Sequence, residues 1–238
     1  VIVAGSSARS VISACSYEAR QYGLRSGMSV SIAKQKCQNI IHITPHMHSY
    51  QIESKNIYAT LKRYCPIVEP GSIDEFYLDF KGCERLYGNM NLFIWKMKQH
   101  IEKTHHLPCS IGTSQHKVTA KMACKLAKPN GMVALAPENE SLFFAPFPIS
   151  LIPGIGPKTY QRLKERHIHT IQDLRPNYID EIIQKHTSSF QPSKNQKEMS
   201  IERTFETDLH TITTLNKILS QLTETLGLRL RNQNQYAQ

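Results

Sequence analysis

Two adjacent carboxylates, Asp74 and Glu75, lie in the stretch SIDEFYLDF (residues 72–80), which otherwise has the composition of a buried strand. Close like charges repel each other, and a buried carboxylate needs a compensating positive group. Carboxylate oxygens suit magnesium, which takes one or two protein carboxylates and completes its shell with phosphates and water. The pair is therefore a candidate magnesium site. A pair of exposed turn carboxylates is the alternative, and these two residues alone do not separate the readings.

Two other stretches carry side chains that suit phosphate. In SYEAR, Tyr17 and Arg20 are three residues apart and so share one face of a helix. A guanidinium fork and a phenol hydroxyl both donate to phosphate oxygens. In KVTAKMACKLAKPNG, lysines recur at near-helical spacing, and Pro129, Asn130 and Gly131 turn the chain directly after Lys128. A lysine stripe is normally a solvated face, but a lysine held by a turn is a better candidate phosphate ligand.

A glycine-rich turn opens the stretch LIPGIGPKTYQRLKERHI. Gly154 and Gly156 allow a tight turn, and Pro157 is placed to begin a helix. The exposed N–H groups at such a helix start suit a phosphate, and Lys158 adds positive charge beside them. The pattern is typical of a helix-hairpin-helix, which binds a nucleic-acid backbone without reading its sequence.

The elements that position these residues alternate between helix and strand. We predict strands at 1–3 and 11–13, a hairpin around Pro70 and Gly71, and strands in CSIGTS and SIERTFETDL. Helices are predicted at 17–23, 29–37, 50–64, 88–103, 117–126 and 213–231. At the bend of a hairpin, neighbours such as Asp74 and Glu75 can converge on one ligand. This order predicts an α+β fold with helices on one face of an antiparallel or mixed sheet.

The charge balance favours a polyanionic partner. The 238 residues contain 29 Lys and Arg against 19 Asp and Glu, a net charge of +10. A solvated basic surface is the alternative. The six cysteines are scattered, as in a cytosolic protein with reduced thiols rather than a disulfide framework or a zinc site. We find neither a membrane-spanning stretch nor a leader pattern in the sequence.

Five stretches, taken in chain order, resemble the Y-family of lesion-bypass DNA polymerases, of the DNA polymerase IV kind. They are SYEARQYGLRSGM, SIDEFYLDF, CSIGTS with KVTAKMACKLAKPNG, IPGIGPKTYQRL and SIERTFETD. The resemblance extends over nearly the whole chain and implies a right-hand polymerase. Its parts would be fingers in residues 1–48 without the first palm strand, a palm in 49–149, a helical thumb with the helix-hairpin-helix in 150–190, a linker in 191–199 and an incomplete little finger in 200–238.

The resemblance also implies roles for single residues. Asp74 and Glu75 would be the catalytic residues that bind two Mg²⁺ ions. Tyr17, Arg20 and Lys128 would bind the incoming triphosphate. The base-pair pocket would be formed by Val11, Ser13, Gly27 and Met28, and the DNA backbone would be held by Gly154, Ile155, Gly156 and Lys158.

The implied activity is template-directed, error-prone DNA synthesis across damaged bases, by nucleotidyl transfer from a dNTP to the primer 3′-hydroxyl. The implied partners are primer-template DNA and a dNTP, with a sliding clamp bound through a C-terminal segment beyond Gln238. We expect a monomeric, cytoplasmic protein of bacterial type that acts on DNA, with no membrane partner.

The chain departs from the family pattern at both ends. No aspartate-rich motif with a further metal ligand and a ribose-excluding aromatic precedes Val1, and one strand and one helix stand for the little finger. We therefore expect the 238-residue chain to extend primers poorly on its own. Two alternatives remain: a non-catalytic, polymerase-like DNA-binding accessory protein, and a carboxylate nuclease, which would leave Tyr17, Arg20 and Lys128 without a role.

Overall fold

The computed structural model describes residues 1–7, 9–174, 199–205 and 207–232. The chain divides into two compact units, one formed by 1–48 with 195–238 and the other by 49–194. Much of the predicted thumb and nearly all of the predicted linker lie outside the described residues. The division into fingers, palm, thumb and little finger stays a prediction.

The first unit is built on a three-stranded sheet. Its strands are β1 (Ile2–Ala4), β2 (Ile12–Cys15) and β3 (His42–Ile43), and β1 lies in the middle, antiparallel to β2 and parallel to β3. Two short helices follow β2: α1 (Tyr17–Gln21) and α2 (Val30–Lys36). Both begin at a serine whose hydroxyl accepts from a backbone N–H of the first turn, which satisfies one donor that the helix leaves open.

The apolar side chains of this unit form a small core. Its buried members are Ile2, Ile12, Ala19, Leu24 and Ala33. The helix α9 (Ile212–Asn232) belongs to the same unit, and no residue of α9 is buried. An exposed ion pair between Arg9 and Asp208, 2.8 Å from Nη1 to Oδ1, joins its N-terminal and C-terminal parts.

The second unit carries most of the helices. In chain order it contains α3 (Met47–Leu61, which begins at the end of the first unit), β4 (Ile67–Pro70), β5 (Phe76–Asp79), α4 (Glu84–Tyr87), α5 (Met90–His105), β6 (Ile111–Thr113), α6 (Lys117–Leu126), β7 (Met132–Ala134), α7 (Glu140–Phe144) and α8 (Pro157–Lys164). Strands β4 and β5 form an antiparallel hairpin, and β6 and β7 form a parallel pair. Short 3₁₀ turns lie at 137–139, 149–151 and 171–173.

Two apolar clusters hold the second unit together. The first packs α3 and α5 against the hairpin through buried residues that include Leu61, Val68, Ile94 and Met97. The second packs α6 against the segment that follows it, through buried residues that include Met122, Phe144 and Ile149. The hairpin and α6 are thus each backed by a core of their own.

The predicted α+β class and the hairpin are confirmed, and α6 has the predicted bounds. The strand predicted in SIERTFETDL is wrong: among residues 199–205 and 207–209, which the structure describes, none is in a strand. A strand requires a hydrogen-bonded partner, and none of the described strands pairs with this stretch. Strands β3 and β7 were not predicted. Within the described part of the chain, we see no helix long and apolar enough to span a membrane.

Candidate functional site

The predicted carboxylate pair lies at the bend between β4 and β5. The backbone N–H groups of Gly71 and Ser72 both donate to the carbonyl oxygen of Glu75, at 2.8 and 3.2 Å, and this closes the bend. Asp74 is exposed, and its Oδ1 accepts a hydrogen bond from the hydroxyl of Ser72. Glu75 is half-buried, and its Oε2 accepts from Lys121 Nζ at 2.7 Å. The positive group expected beside the pair is therefore Lys121.

The lysine stripe of α6 is engaged in contacts. Lys117 donates to Glu69 Oε2 at 2.6 Å, one turn before the pair of Lys121 with Glu75. Lys125 donates to the backbone oxygen of Ser150 at 2.7 Å. A solvated stripe was the ordinary expectation, and it is wrong for Lys117, whose side chain is 13% exposed, whereas Lys121 and Lys125 remain in contact with solvent. Lys117 and Lys121 attach α6 to the hairpin, and Lys125 attaches it to the 149–151 turn.

The ion pair with Glu75 changes the titration of Lys121. The hydrogen bond from Lys121 to Glu75 raises the lysine pKa, and this outweighs the opposing effect of partial burial. Next to it, burial raises the pKa of Tyr77, whose ring lies 5.9 Å from Lys117 Nζ. Lys121 therefore stays charged at neutral pH beside the hairpin.

Lys128 lies in the turn after α6 and differs from these three lysines. It is exposed, and among the residues that the structure describes no hydrogen bond or ion pair holds its ammonium group. Residues 127–130 form a turn, as predicted, and Asn130 has a φ of 51°. Helix α6 ends at Leu126, so Lys128 lies in this turn, two residues beyond the helix. Helix α6 and the turn after it thus lead from Lys121 at the carboxylate bend to an exposed cation.

The other two predicted triphosphate ligands lie in the first unit. Tyr17 and Arg20 are both exposed on α1, and the Arg20 guanidinium carbon is 5.6 Å from the centre of the Tyr17 ring. This contact confirms that the two side chains share a helix face. Together they present a phenol and a guanidinium to solvent.

The residues predicted for the base-pair pocket are neighbours in the first unit. Ile12 donates to the carbonyl of Met28 and accepts from the N–H of Gly27, both at 2.8 Å, and this joins β2 to the segment before α2. Ile12 is buried, and successive strand residues point to opposite faces, so Val11 and Ser13 face outward. Val11, Ser13 and Gly27 are therefore exposed, and Met28 is half-buried beside them.

The glycine-rich turn precedes α8 as predicted. Gly154 has a φ of 90°, a conformation that favours glycine. Gly156 is the N-cap, no side chain caps the helix start, and Lys158 is exposed in the first turn. Ile155 donates to the carbonyl of Ile152 at 3.2 Å, which tightens the turn. The segment before the turn is a 3₁₀ turn, Ile149–Leu151, rather than an α-helix.

The donors at the bend fit a magnesium ion in kind. Asp74 and Glu75 supply two hard carboxylates, which is as many as magnesium commonly takes from a protein. No group of three or more His, Cys, Asp or Glu side chains gathers within the described ranges in a way that would hold an ion. Substrate phosphates and water would therefore have to complete the shell.

Besides the pair of Lys121 with Glu75, sequence reasoning missed two contacts that shape this site. The first is the pair of Glu69 with Lys117, and its only signal is a carboxylate inside the apolar run that forms β4. The second is a hydrogen bond from Lys98 Nζ to Asn130 Oδ1, 2.7 Å, between residues far apart in the sequence. Spacing does not reveal a contact of that kind.

Known proteins resemble this chain along nearly its whole length. The impB/mucB/samB family profile matches residues 1–125, and the profile of the C-terminal domain of the same family matches residues 196–238. A DNA polymerase IV of Actinobacillus pleuropneumoniae serotype 3 is 30% identical over 97% of this chain and 69% of its own length.

Solved structures agree with these sequence matches. DinB from Sulfolobus solfataricus superposes with a TM-score of 0.67 at 30% identity, over 77% of this chain and 55% of that one. An insertion ternary complex of Dbh DNA polymerase gives 0.66 at 27% identity, over 79% and 56%. The chain spans 65–70% of the length of the curated relatives it matches. By these matches the chain belongs to the impB/mucB/samB family, the Y-family DNA polymerases of the DNA polymerase IV kind.

Proposed function

We propose that this chain carries the catalytic centre of a template-directed DNA polymerase that copies past damaged bases. The observation that supports it best is the arrangement along α6. Lys121 holds Glu75 at the hairpin bend, and Lys128 is exposed in the turn that follows the same helix. Carboxylates near a cation of this kind are what a nucleotide with a metal-bound triphosphate requires.

In the proposed reaction Asp74 and Glu75 hold the metal. Two magnesium ions, when bound, would activate the primer 3′-hydroxyl and stabilise the pyrophosphate leaving group. The exposure of Asp74 leaves its carboxylate accessible to an ion. Lys121 keeps the charge of Glu75 compensated in the protein alone and restrains the bend.

Tyr17, Arg20 and Lys128 are the proposed ligands of the triphosphate. All three are exposed, and each offers donors that suit phosphate oxygens. By neutralising charge on the β and γ phosphates they would position the nucleotide, and positioning with electrostatic stabilisation accounts for most phosphoryl-transfer catalysis. The turn before α8, with Gly154, Ile155, Gly156 and Lys158, would bind the duplex backbone at the start of the helix, which no side chain caps.

The small surface of the first unit supports bypass of damaged bases. Val11, Ser13 and Gly27 put little bulk beside the proposed nascent base pair, with Met28 next to them. A pocket with little steric bulk tolerates a distorted base. For the same reason it discriminates weakly against an incorrectly paired base. Error-prone synthesis follows from this part of the proposal.

Primer extension tests the proposal directly. The complete protein should extend a primer on undamaged DNA and opposite an abasic site, in the presence of Mg²⁺ and dNTPs. The double variant Asp74→Ala, Glu75→Ala should lose extension by about three orders of magnitude or more while it still binds duplex. Asp79→Asn, in the same hairpin, is the matched control and should extend normally.

Other outcomes would assign another function. Duplex binding without any extension by the wild-type protein would favour a non-catalytic accessory role. Magnesium-dependent shortening of the primer would favour a nuclease. Full activity of the double variant would contradict the metal-binding role of the hairpin.

A further inference from the structure

We propose that Lys98 is a positioning residue for the nucleotide site: through Asn130 it fixes the turn that presents Lys128. This inference rests on the proposed function, because Lys128 is there a ligand of the triphosphate. Lys98 itself lies on α5 and would not touch the nucleotide. Nothing in its sequence surroundings marks it, since α5 is rich in lysine and histidine.

Lys98 is a buried lysine with two short contacts. Its residue is 6% exposed, and its ammonium donates to Glu102 Oε1 at 2.6 Å and to Asn130 Oδ1 at 2.7 Å. A buried ammonium needs such partners, because removal from water without them is costly. Its position on α5 is set by Met97 and Ile101, which are buried in the apolar core on either side.

Glu102 connects the same cluster to β6. Its Oε1 also accepts from the backbone N–H of Cys109 at 3.2 Å, two residues before β6 begins. Burial works to raise the pKa of Glu102, but the hydrogen bonds from Lys98 and Cys109 outweigh it and lower the pKa. The carboxylate is therefore ionised at neutral pH, and Lys98 is held from one side by a full negative charge.

The turn at Asn130, which Lys98 contacts, has a backbone conformation that requires support. Asn130 has a φ of 51°, a left-handed conformation that costs free energy in most residues and less in asparagine. The N–H of Gly131 donates to the carbonyl of Ala127 at 2.8 Å, so the turn closes back on the end of α6. The amide oxygen of Asn130 is then the atom through which the turn is fastened to α5. Two residues earlier in the chain, Lys128 has no such attachment of its own.

The consequence concerns where the Lys128 ammonium can be. A long flexible side chain binds phosphate well only if its backbone is fixed, because every extra conformation has to be given up on binding. With Lys98 present, one charge-assisted hydrogen bond, to Asn130 Oδ1, attaches the turn that follows Lys128 to α5. Without it, the turn can shift and Lys128 is no longer preorganised for a triphosphate.

The test compares nucleotide affinity with turnover in the complete protein. Lys98→Met and Asn130→Ala should each raise the KM for the incoming dNTP about 10-fold, with kcat changed less than threefold. Lys98→Arg keeps the charge and should restore most of the affinity. Glu53→Gln removes a different contact of α5, the 2.6 Å pair with His105, and is the matched control, with an unchanged KM.

A double-mutant cycle separates positioning from mere stability. If Lys98 acts through Lys128, then Lys98→Met should add little to the KM of a Lys128→Ala variant. The inference would be overturned if the increases in KM from Lys98→Met and Lys128→Ala multiplied in the double variant. It would also be overturned if the KM values of Lys98→Met and Glu53→Gln simply followed their melting temperatures.

Hydrogen exchange gives a readout that does not depend on catalysis. The amide of Gly131 should exchange about 10-fold faster or more in Lys98→Met than in wild type, and Lys98→Arg should reverse this. Unchanged exchange would overturn the inference even if the protein is a polymerase. A protein that shows this exchange pattern but no extension would contradict the proposed function and leave the fastening of the turn intact.

Discussion

Two glutamates of the hairpin contact lysines one turn apart on α6, but they differ in burial. The side chain of Glu69 is 7% exposed and that of Lys117 13%, whereas Glu75 and Lys121 are both 41% exposed. A buried ion pair stabilises the packing of two elements, but a ligand cannot reach it. The exposed pair is screened by water and can exchange partners. Glu69 therefore has a structural role, whereas Glu75 can exchange its contact with Lys121 for a ligand.

This difference predicts unequal losses of stability. Lys117→Met removes the lysine from a buried carboxylate and should lower the free energy of unfolding by about 3 kcal/mol. Lys121→Met should lower it by less than about 1 kcal/mol, because water solvates Glu75 in its place. Urea denaturation of the two variants measures both values. Equal losses would contradict the distinction between a structural and an accessible pair.

Asp173 gives a prediction about pH. Its carboxylate accepts from the backbone N–H groups of Thr170 and His169, at 2.7 and 3.0 Å, and these hydrogen bonds lower its pKa below the ordinary 3.8. A lowered pKa in the folded state means that the stabilisation is present above pH 3.8 and is lost as the pH falls through the folded value. The stability difference between wild type and Asp173→Asn should therefore shrink below pH 4. A carboxyl titration by NMR with a midpoint above 3.8 would contradict this.

At the scale of elements, β6 and α6 pack in direct backbone contact at Gly112. A Cβ at this position would overlap the backbone N of Cys124 and the backbone O of Ala120. Glycine is therefore what lets α6 lie close enough to the sheet for its lysines to reach the hairpin. The core residues Met122 and Ala123 complete the contact from the helix side.

Gly112→Ala should accordingly destabilise the protein by about 2 kcal/mol, because α6 has to move away from β6. Thermal or urea unfolding measures the loss. The matched control is Gly227→Ala inside α9, where the atom nearest to a new Cβ is in the side chain of Arg231, at an ordinary 3.6 Å, so no loss is expected. A loss at Gly227 as large as that at Gly112 would contradict the packing argument.

The helix α8 is the element proposed to hold the DNA backbone. Lys158→Ala should weaken duplex binding about equally for all sequences and reduce the slope of log affinity against log salt by about one unit. Lys96→Ala, an exposed lysine of α5, removes the same charge at a different place and should leave that slope nearly unchanged. Fluorescence anisotropy over a salt series measures both. Equal slopes for the two variants would argue against α8 as the contact.

The sequence predicted local elements better than distant contacts. Helix α6 has the predicted bounds because its apolar period and the Pro129-Asn130-Gly131 turn are both local signals. Strand β7 was missed because its three residues become a strand only by pairing with β6, which precedes α6 in the sequence, whereas β7 follows it. The partners Lys121 for Glu75 and Lys98 for Asn130 were not identified for the same reason. Residue types at the site were readable, but the contacts that hold them depend on tertiary packing.

At the scale of the whole molecule, residues with proposed roles lie in each of the two units. Tyr17 and Arg20 belong to the unit with the small exposed surface, and Asp74, Glu75 and Lys128 belong to the unit with the hairpin and α6. Each set is assembled by its own sheet, helices and core.

The most direct measurement is a structure of the complete protein with primer-template DNA, an incoming dNTP and a divalent ion. We predict that carboxylate oxygens of Asp74 and Glu75 coordinate the ion at about 2.0–2.2 Å, with the triphosphate in contact with Tyr17, Arg20 and Lys128. A nucleotide bound elsewhere, or an ion that contacts neither carboxylate, would contradict the account.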